Sequence, residues 1–468
     1  MPHACHPLVN NIRVEHDPLG AVSVPADRLY GAQTARALAN FPLSGRTIAE
    51  MPALLVSLAQ VKKAAVLANS GAGELPAEIA DAISLACDEI ICGSLCNEFV
   101  VDVFQGGAGT STNMNMNEVL ANRALQHLGL ELGRYDVIHP NDHVNRSQST
   151  NDAYSTAVRL AVYALNTRLI EALRRLQEAL CRKEAAFDGI PKLGRTQLQD
   201  AVPMTLGQEF GAFATTVGED AARAREIGEF FLEINLGGTA IGTGIGASPA
   251  YAGSIIAELR KVTGQDVKRA ANLIEATWDM GAFVLYSGML KRVASKLSKI
   301  ANDLRLLASG PRGGFGEIQL PERQPGSSIM PGKVNPVILE ALNQVAFRVF
   351  GTDVTVTFAA EGGQLQLNAF EPVILLSIYE AVDLLISGID MLIMNCIEDL
   401  SANEAGCAAN LARSTALSTA LVPHLGYARC AALAKAAIAE GVDLRTAIAR
   451  LDPAVLPLFD AMSGRETV

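Results

Sequence analysis

The sequence predicts an all-α chain organised around a bundle of long helices, and three observations carry that prediction. Long Ala/Leu-rich segments with few interior breakers run over 151–187, 205–234, 271–309, 336–358 and 372–396, lengths that suit bundle helices and exceed what strands need. Apolar residues already recur at helical spacing from Met51, and again from Ala77 to Ile91. Glycine and proline gather instead in connections, above all from Gly310 to Pro336, a segment too broken for either helix or strand.

Taken in order, Arg13 to Tyr30 is polar and rich in turn signals, Asp17-Pro18-Leu19-Gly20 and Val24-Pro25-Ala26-Asp27 among them, and reads as an N-terminal arm. Short helices follow as far as the Gly-rich turn Gln105 to Thr110, and this first region closes near Gln148, giving a mainly helical domain over 1–148. Residues 149–400 form the long-helix domain carrying the loop 310–336, and Pro423, Gly426, Gly441 and Pro453 divide 401–468 into a small C-terminal helical domain. The segment Pro372 to Cys396 is apolar nearly all round, but Glu380, Asp383 and Asp390 interrupt it. It is read as a helix buried among partner helices, not as a membrane span. Gly242-Thr243-Gly244-Ile245-Gly246-Ala247 matches a G-x-G-x-x-A dinucleotide pattern, yet no βαβ unit surrounds it, so it reads as a connection between helices.

The 468 residues are enough for two or three domains and carry a net charge of -11, which argues against nucleic acid or an anionic membrane as main partner. Any anionic substrate has to be held by local donors. The eight cysteines include no C-x-x-C pair, so neither a zinc ribbon nor a disulfide scaffold fits. Cys92 and Cys96, one helical turn apart, are read as buried thiols sharing a helix face. Met1 to His16 lacks the apolar core of a secretory signal, and the expected compartment is the cytoplasm.

The polar content of the broken segment is concentrated in Gly326-Ser327-Ser328-Ile329-Met330-Pro331-Gly332-Lys333-Val334-Asn335-Pro336. It is not a phosphate-binding P-loop, because five residues separate Gly326 from Gly332 and Val334 stands where Ser or Thr is required. This stretch resembles the signature loop of the aspartase/fumarase superfamily. Gln105 to Ser111 with Asn113-Met114-Asn115, His139 to Asn145 running on to Gln148-Ser149-Thr150-Asn151-Asp152, and Gly194 to Asp200 resemble other motifs of that family, in the same order. The resemblance continues over nearly the whole chain. It implies a three-domain lyase fold whose central bundle assembles as a homotetramer, with active sites shared between subunits. It also implies elimination across a C–N or C–O bond, with release of fumarate or a close relative.

Removing the proton beside the β-carboxylate of L-aspartate would put a second negative charge on that carboxylate. Thr110, Ser149, Thr150 and Ser328 are the donors expected around it. Ser149 to Asp152 is a cap-rich run at a long helix, where free N–H groups and the helix dipole favour an anion. By resemblance Ser327 is the base, its alkoxide held by loop N–H groups and by a cation. Lys333 is the available cation and serves Ser327, the α-carboxylate or both, with Asn335 as a further donor. Asn151, Thr196 and Gln197 are expected around the amino and α-carboxylate groups. Relatives that act as fumarases have a histidine where this chain has Gln197, and glutamine cannot exchange a proton at neutral pH. That favours ammonia, which leaves with its own proton, over hydroxide. The expected reaction is therefore release of ammonia from L-aspartate to give fumarate. Fumarate hydration, elimination from an N-substituted aspartate, and an inactive structural member are the alternatives. His139 and His143 lack a zinc-helix pattern and read as structural or second-site residues. No cofactor is required, and a weak activating Mg2+ site would leave no mark in such a sequence. Relatives commonly carry Leu-Asn where this chain has Ile245-Gly246, in a turn whose contacts the sequence does not define.

Overall fold

The computed structural model describes residues 12–462; Met1 to Asn11, with Cys5 and most of the segment tested for a secretory signal, lie outside them. The chain opens with a hairpin of β1 (Ile12–Asp17) and β2 (Gly20–Pro25), followed by α1 (Ala32–Asn40), α2 (Pro52–Gly71), α3 (Ala77–Ile91), α4 (Thr110–His127) and the long α5 (Thr150–Phe187). A second hairpin, β3 (Pro191–Thr196) with β4 (Gln199–Thr205), precedes α6 (Leu206–Gly228). Next come β5 (Glu233–Ile234), α7 (Pro249–Thr263), β6 (Lys268–Arg269), α8 (Glu275–Trp278) and α9 (Gly281–Leu307). The strand β7 (Ile318–Gln319) lies within the broken segment before α10 (Val337–Glu361) and α11 (Glu371–Leu392). The chain closes with β8 (Ser401–Ala402), α12 (Glu404–Arg413), α13 (Leu417–Leu425), α14 (Tyr427–Glu440), α15 (Leu444–Leu451) and α16 (Leu456–Met462). The helical class holds, since strands among the described residues occur only in two-stranded pairs.

Two compact units divide the chain. The first comprises residues up to Ile170, Arg223–Lys291 and Arg348–Asp383. In it α2 packs on α3 and α7, and α3 on α4. The first part of α5 contributes a stripe of Ala157, Ala161, Leu165 and Leu169, each fully buried, at the four-residue spacing that keeps one helix face inward. Two of the three acidic residues that break the apolar run of α11 are paired here, Glu380 with Arg46 and Arg348, and Asp383 with Arg168 at 3.4 Å. The stretch Glu371–Ile397 is long and apolar enough to cross a membrane by length and composition, but 67% of that window is buried inside the protein, as a soluble core helix requires.

The second unit comprises Glu171–Ala222, Arg292–Phe347 and the chain from Leu384 onward. Here α6 presents Gly207, Gly211 and Gly218 to the end of α5. A Cβ on Gly207 would stand 2.6 Å from the backbone oxygen of Glu184, so glycine is required there, while at Gly211 and Gly218 it would displace only the Glu184 and Gln177 side-chain tips. The helices after Leu417 have their own core of Leu421, Leu433, Leu444, Ile448 and Phe459, while α12 packs on β3 and α13 on β4.

Four expectations need correction. The N-terminal arm is a strand hairpin in register Asp17↔Gly20; its turn was legible, but β1 inverts the usual alternation by burying Glu15 and exposing Ile12 and Val14. The helix expected over 205–234 stops at Gly228, ahead of a 3-10 turn and β5, and the one over 271–309 is broken into α8 and α9, the latter starting at Gly281; β5 is drawn out of the helix by its parallel pairing with β6. Pro191 to Thr205 forms a hairpin that no periodicity signalled. Cys92 caps the end of α3 while Cys96 begins a separate 3-10 turn after the left-handed Leu95. The two thiols therefore share no helix, and Cys92 is exposed.

Candidate active site

In the first unit the start of α5 is capped by its own polar residues. Ser149 Oγ accepts the Asn151 N–H at 3.2 Å, and the Ser149 N–H donates to Asp152 Oδ1 at 2.8 Å, the reciprocal pattern of a capping box. The other Asp152 oxygen accepts the N–H groups of Gly237 and Thr239, both at 3.0 Å. Burial raises the Asp152 pKa above the ordinary carboxylate value, against the pull of these N–H groups and of Lys62. The first turn of α5 is thus fixed to the turn that follows β5. Asn151 strengthens the link by donating to Ala240 O at 2.8 Å. This turn contains the Ile245-Gly246 departure: Ile245 O accepts from Thr239 Oγ1 at 2.8 Å, while its side chain is exposed and a Cβ at Gly246 would meet nothing within 4 Å.

Thr150 Oγ1 accepts from Asn113 Nδ2 of α4 at 3.1 Å. The same α4 starts at Thr110, whose hydroxyl donates to Gly107 O at 2.7 Å. Gly109, with φ of 87°, lies against Tyr154 so closely that a Cβ would stand 2.4 Å from the ring. The starts of α4 and α5, which carry Thr110 and Ser149, Thr150 and Asn151, are therefore held together. Beneath them lies a residue the sequence reading missed. Lys62 of α2 is wholly buried, donates to Asn145 Oδ1 at 2.8 Å and Gln148 Oε1 at 3.0 Å, and has its pKa drawn down by burial to about 7. Asn113 and Asn117 converge on the same Asn145 oxygen, each at 3.2 Å. The signal was present: Leu58, Lys62, Ala65 and Asn69 fall on one buried stripe of α2, and a lysine there is out of place unless partnered.

In the same unit His139 Nδ1 accepts the N–H groups of Asn141 and Asp142 at 3.1 and 3.2 Å, and His143 Nδ1 accepts that of His139 at 2.7 Å. Both rings thus brace their own turn. Desolvation lowers the His143 pKa.

The second unit holds the remaining candidates on two elements. The loop closes on itself, for a Cβ at Gly326 would lie 2.1 Å from Lys333 O, and Asn335 Nδ2 donates to Gly326 O at 2.7 Å. Inside the closure the half-buried Ser327 accepts the N–H groups of Ile329 and Met330 at 3.2 and 3.0 Å. Ser328 and Lys333 are exposed. The β3/β4 hairpin holds Thr196 and Gln197 at its exposed tip, where Thr196 pairs with Gln199. Its two connecting residues, Gln197 and Leu198, have φ of 53° and 60°. That is a type I′ turn made without the usual Asn or Gly, a conformation costly for such side chains. Chemically these elements offer a serine oxygen receiving two N–H groups, an exposed lysine ammonium, and a set of neutral hydroxyl and amide donors.

A family model described as lyase matches residues 20–351. Aspartate ammonia-lyase of Pseudomonas aeruginosa is 56% identical over 434 residues, covering 92% of each chain. Among solved structures, the fumarate lyase:delta crystallin from Brucella melitensis bound to cobalt is 54% identical at a TM-score of 0.94, covering 97% of this chain and 100% of its own. The class II fumarase from Schistosoma mansoni is 35% identical at a TM-score of 0.91, covering 97% of this chain and 98% of its own. The matched motifs, the fold and this full-length similarity together make the chain a member of the aspartase/fumarase superfamily of lyases.

Proposed function

We propose that the chain is an aspartate ammonia-lyase, eliminating ammonia from L-aspartate in a reversible anti reaction that releases fumarate. The observation that carries this reading is the Ser327 oxygen receiving the Ile329 and Met330 N–H groups, since donors aimed at an oxygen favour its anion. Ser327 then takes the proton beside the β-carboxylate, and the developing aci-carboxylate is met by Thr110, Ser149, Thr150 and Ser328, each well-placed donor contributing on the order of 3 kcal/mol. Lys333 and Asn335 hold the α-carboxylate, while Asn151, Thr196 and Gln197 hold the amino and α-carboxylate groups. The ammonium leaves with its own proton, so Gln197 need only bind. The similarity to the Pseudomonas aeruginosa aspartate ammonia-lyase over 92% of both chains supports the same chemistry. No cofactor is required in this scheme, and Mg2+ acts at most as a weak activator.

The active assembly is a cytoplasmic homotetramer, with Thr196 and Gln197 reaching a site whose Ser327 belongs to another subunit. Exposed apolar side chains on the long helices support that assembly: Leu285 is 49% exposed, Val354 53% and Phe358 74%, more than a monomer would leave on such helices. The functional division is 1–148, 149–400 and 401–468, and the separate core after Leu417 supports the last boundary. Ultraviolet detection of fumarate from L-aspartate, run beside L-malate with ammonia assayed in parallel, tests the reaction. Fumarate and ammonia from aspartate alone is the expected result. Turnover of malate alone would show a fumarase, and silence on both would leave an N-substituted aspartate or an inactive scaffold.

A further inference from the structure

Glu317 is a buried charged group of the second unit that the scheme above does not use. Its side chain has no exposed surface, in a segment otherwise dominated by glycine and proline. One carboxylate oxygen receives Arg195 Nη2 at 2.8 Å and Asn410 Nδ2 of α12 at 3.0 Å, and the other stands 3.3 Å from Lys192 Nζ. Lys192 also pairs with Glu209. The Arg195 guanidinium lies 4.1 Å above the Phe315 ring. The Glu317 backbone is fixed as well: its N–H donates to Leu307 O at 2.8 Å and its carbonyl accepts the Asn403 N–H at 2.9 Å. Burial raises the Glu317 pKa, but its bond to Arg195 and the charge of Lys192 outweigh that and leave it below the ordinary carboxylate value.

Arg195 is the residue before Thr196, and the strand register shifts between Leu193 and Arg195. The glycine at the shift is obligatory, since a Cβ on Gly194 would stand 2.7 Å from Val202 O. Such a bulge re-aims the residues after it, and a strained tip keeps its direction only where its surroundings over-determine it. We infer that Glu317 is a positioning residue: through Arg195 it fixes the direction of the hairpin tip carrying Thr196 and Gln197, and it ties that tip to the root of the loop carrying Ser327. The inference rests on the assignment of Thr196 and Gln197 to substrate binding proposed above. A buried carboxylate shared by two cations suits this task better than a neutral group, because loss of its charge leaves both cations short of a partner.

The Glu317→Gln enzyme, as the full-length assembly, tests this by hydrogen–deuterium exchange and steady-state kinetics together. Glutamine keeps the shape and an acceptor for Arg195 but removes the charge. The expected exchange is about tenfold faster in peptides covering 193–205, with α2 and α4 unchanged, as a local opening would give. The expected kinetics are a KM for L-aspartate raised about tenfold with kcat within about threefold, the mark of lost ground-state positioning, and partial recovery in Glu317→Asp. Wild-type exchange in 193–205, or faster exchange throughout the chain, would overturn the inference. If the wild-type enzyme leaves L-aspartate untouched, the reaction assignment fails while the exchange pattern still decides the role of Glu317. Should Glu317→Gln not fold, Arg195→Lys keeps the charge but loses the stack on Phe315, and the same localised exchange is expected from it; a wild-type pattern there would equally overturn the inference.

Discussion

The start of α5 and the loop around Ser327 carry similar groups, hydroxyls and amides suited to a carboxylate, but they are held in opposite ways. At α5 three polar residues are tied to other elements: Asp152 to Gly237 and Thr239, Thr150 to Asn113, and Asn151 to Ala240. The loop is tied mainly to itself, Asn335 to Gly326 and Ser327 to Ile329 and Met330. A surface braced by buried partners costs no reorganisation when charge develops on it, which is what oxyanion stabilisation needs. A loop bonded within itself can change place as a body while keeping its base activated, which is what closure over a substrate needs. In the proposed scheme the difference separates a fixed anion surface from a carried base.

The largest effect is expected where that comparison is broken at the base. Ser327→Ala removes the oxygen that accepts the two loop N–H groups and should lower kcat about a thousandfold, with assembly unchanged by sedimentation. A loss below tenfold would show that the base is elsewhere. Next is the bracing beneath α5, which is legible in pH. Unfolded, Lys62 keeps its proton up to its ordinary 10.5, whereas burial in the fold draws its pKa down to about 7. Between those values the unfolded chain holds more protons, so this group makes stability rise with pH, by up to about 1.4 kcal/mol per unit. Lys62→Met should remove that rise, read from urea midpoints between pH 7 and 9. An unchanged pH slope would mean that the ammonium stays charged where it is.

A second buried group in the same unit has the opposite sign. Glu371 accepts from Ser155 Oγ at 3.0 Å, and burial raises its pKa from 4.5 to about 7, opposed by that bond and by Arg159. Between those values the native state holds the extra proton, so its contribution falls as pH rises. Glu371→Gln, which mimics the protonated form, should flatten stability between pH 5 and 7 by up to about 1.4 kcal/mol per unit. A steeper fall in the variant would overturn the assignment. Lys62 and Glu371 thus bracket neutrality from either side.

How much of this was legible followed from how local each signal is. The long helices were readable because Ala157, Ala161, Leu165 and Leu169 repeat within one segment, and the loop because its breakers are consecutive. The Ser149 cap was readable because a cap and its helix are neighbours in sequence. Lys62 and Glu317 were not, because their meaning depends on Asn145 and Gln148, or on Arg195 and Asn410, residues distant along the chain. The β3/β4 hairpin was missed for a different reason. Its turn uses Gln197 and Leu198, and nothing in that pair announces two left-handed residues.

That turn supplies the smallest and most discriminating effect. Leu198 is 63% exposed and holds φ of 60°, so it gains little from burial while paying a conformational cost that glycine would avoid. Leu198→Gly relieves the strain but adds freedom to the unfolded chain, and the net gain in stability should be about 0.5 kcal/mol. If the leucine serves only the fold, KM will be unchanged and the thermal midpoint slightly higher. If it helps seat the tip carrying Gln197 in another subunit, KM should rise about threefold as stability improves, because a more flexible tip binds with a larger ordering cost. The expected result is the second, since Leu198 adjoins Gln197 at the exposed tip and its large apolar side chain finds no cover there within its own fold.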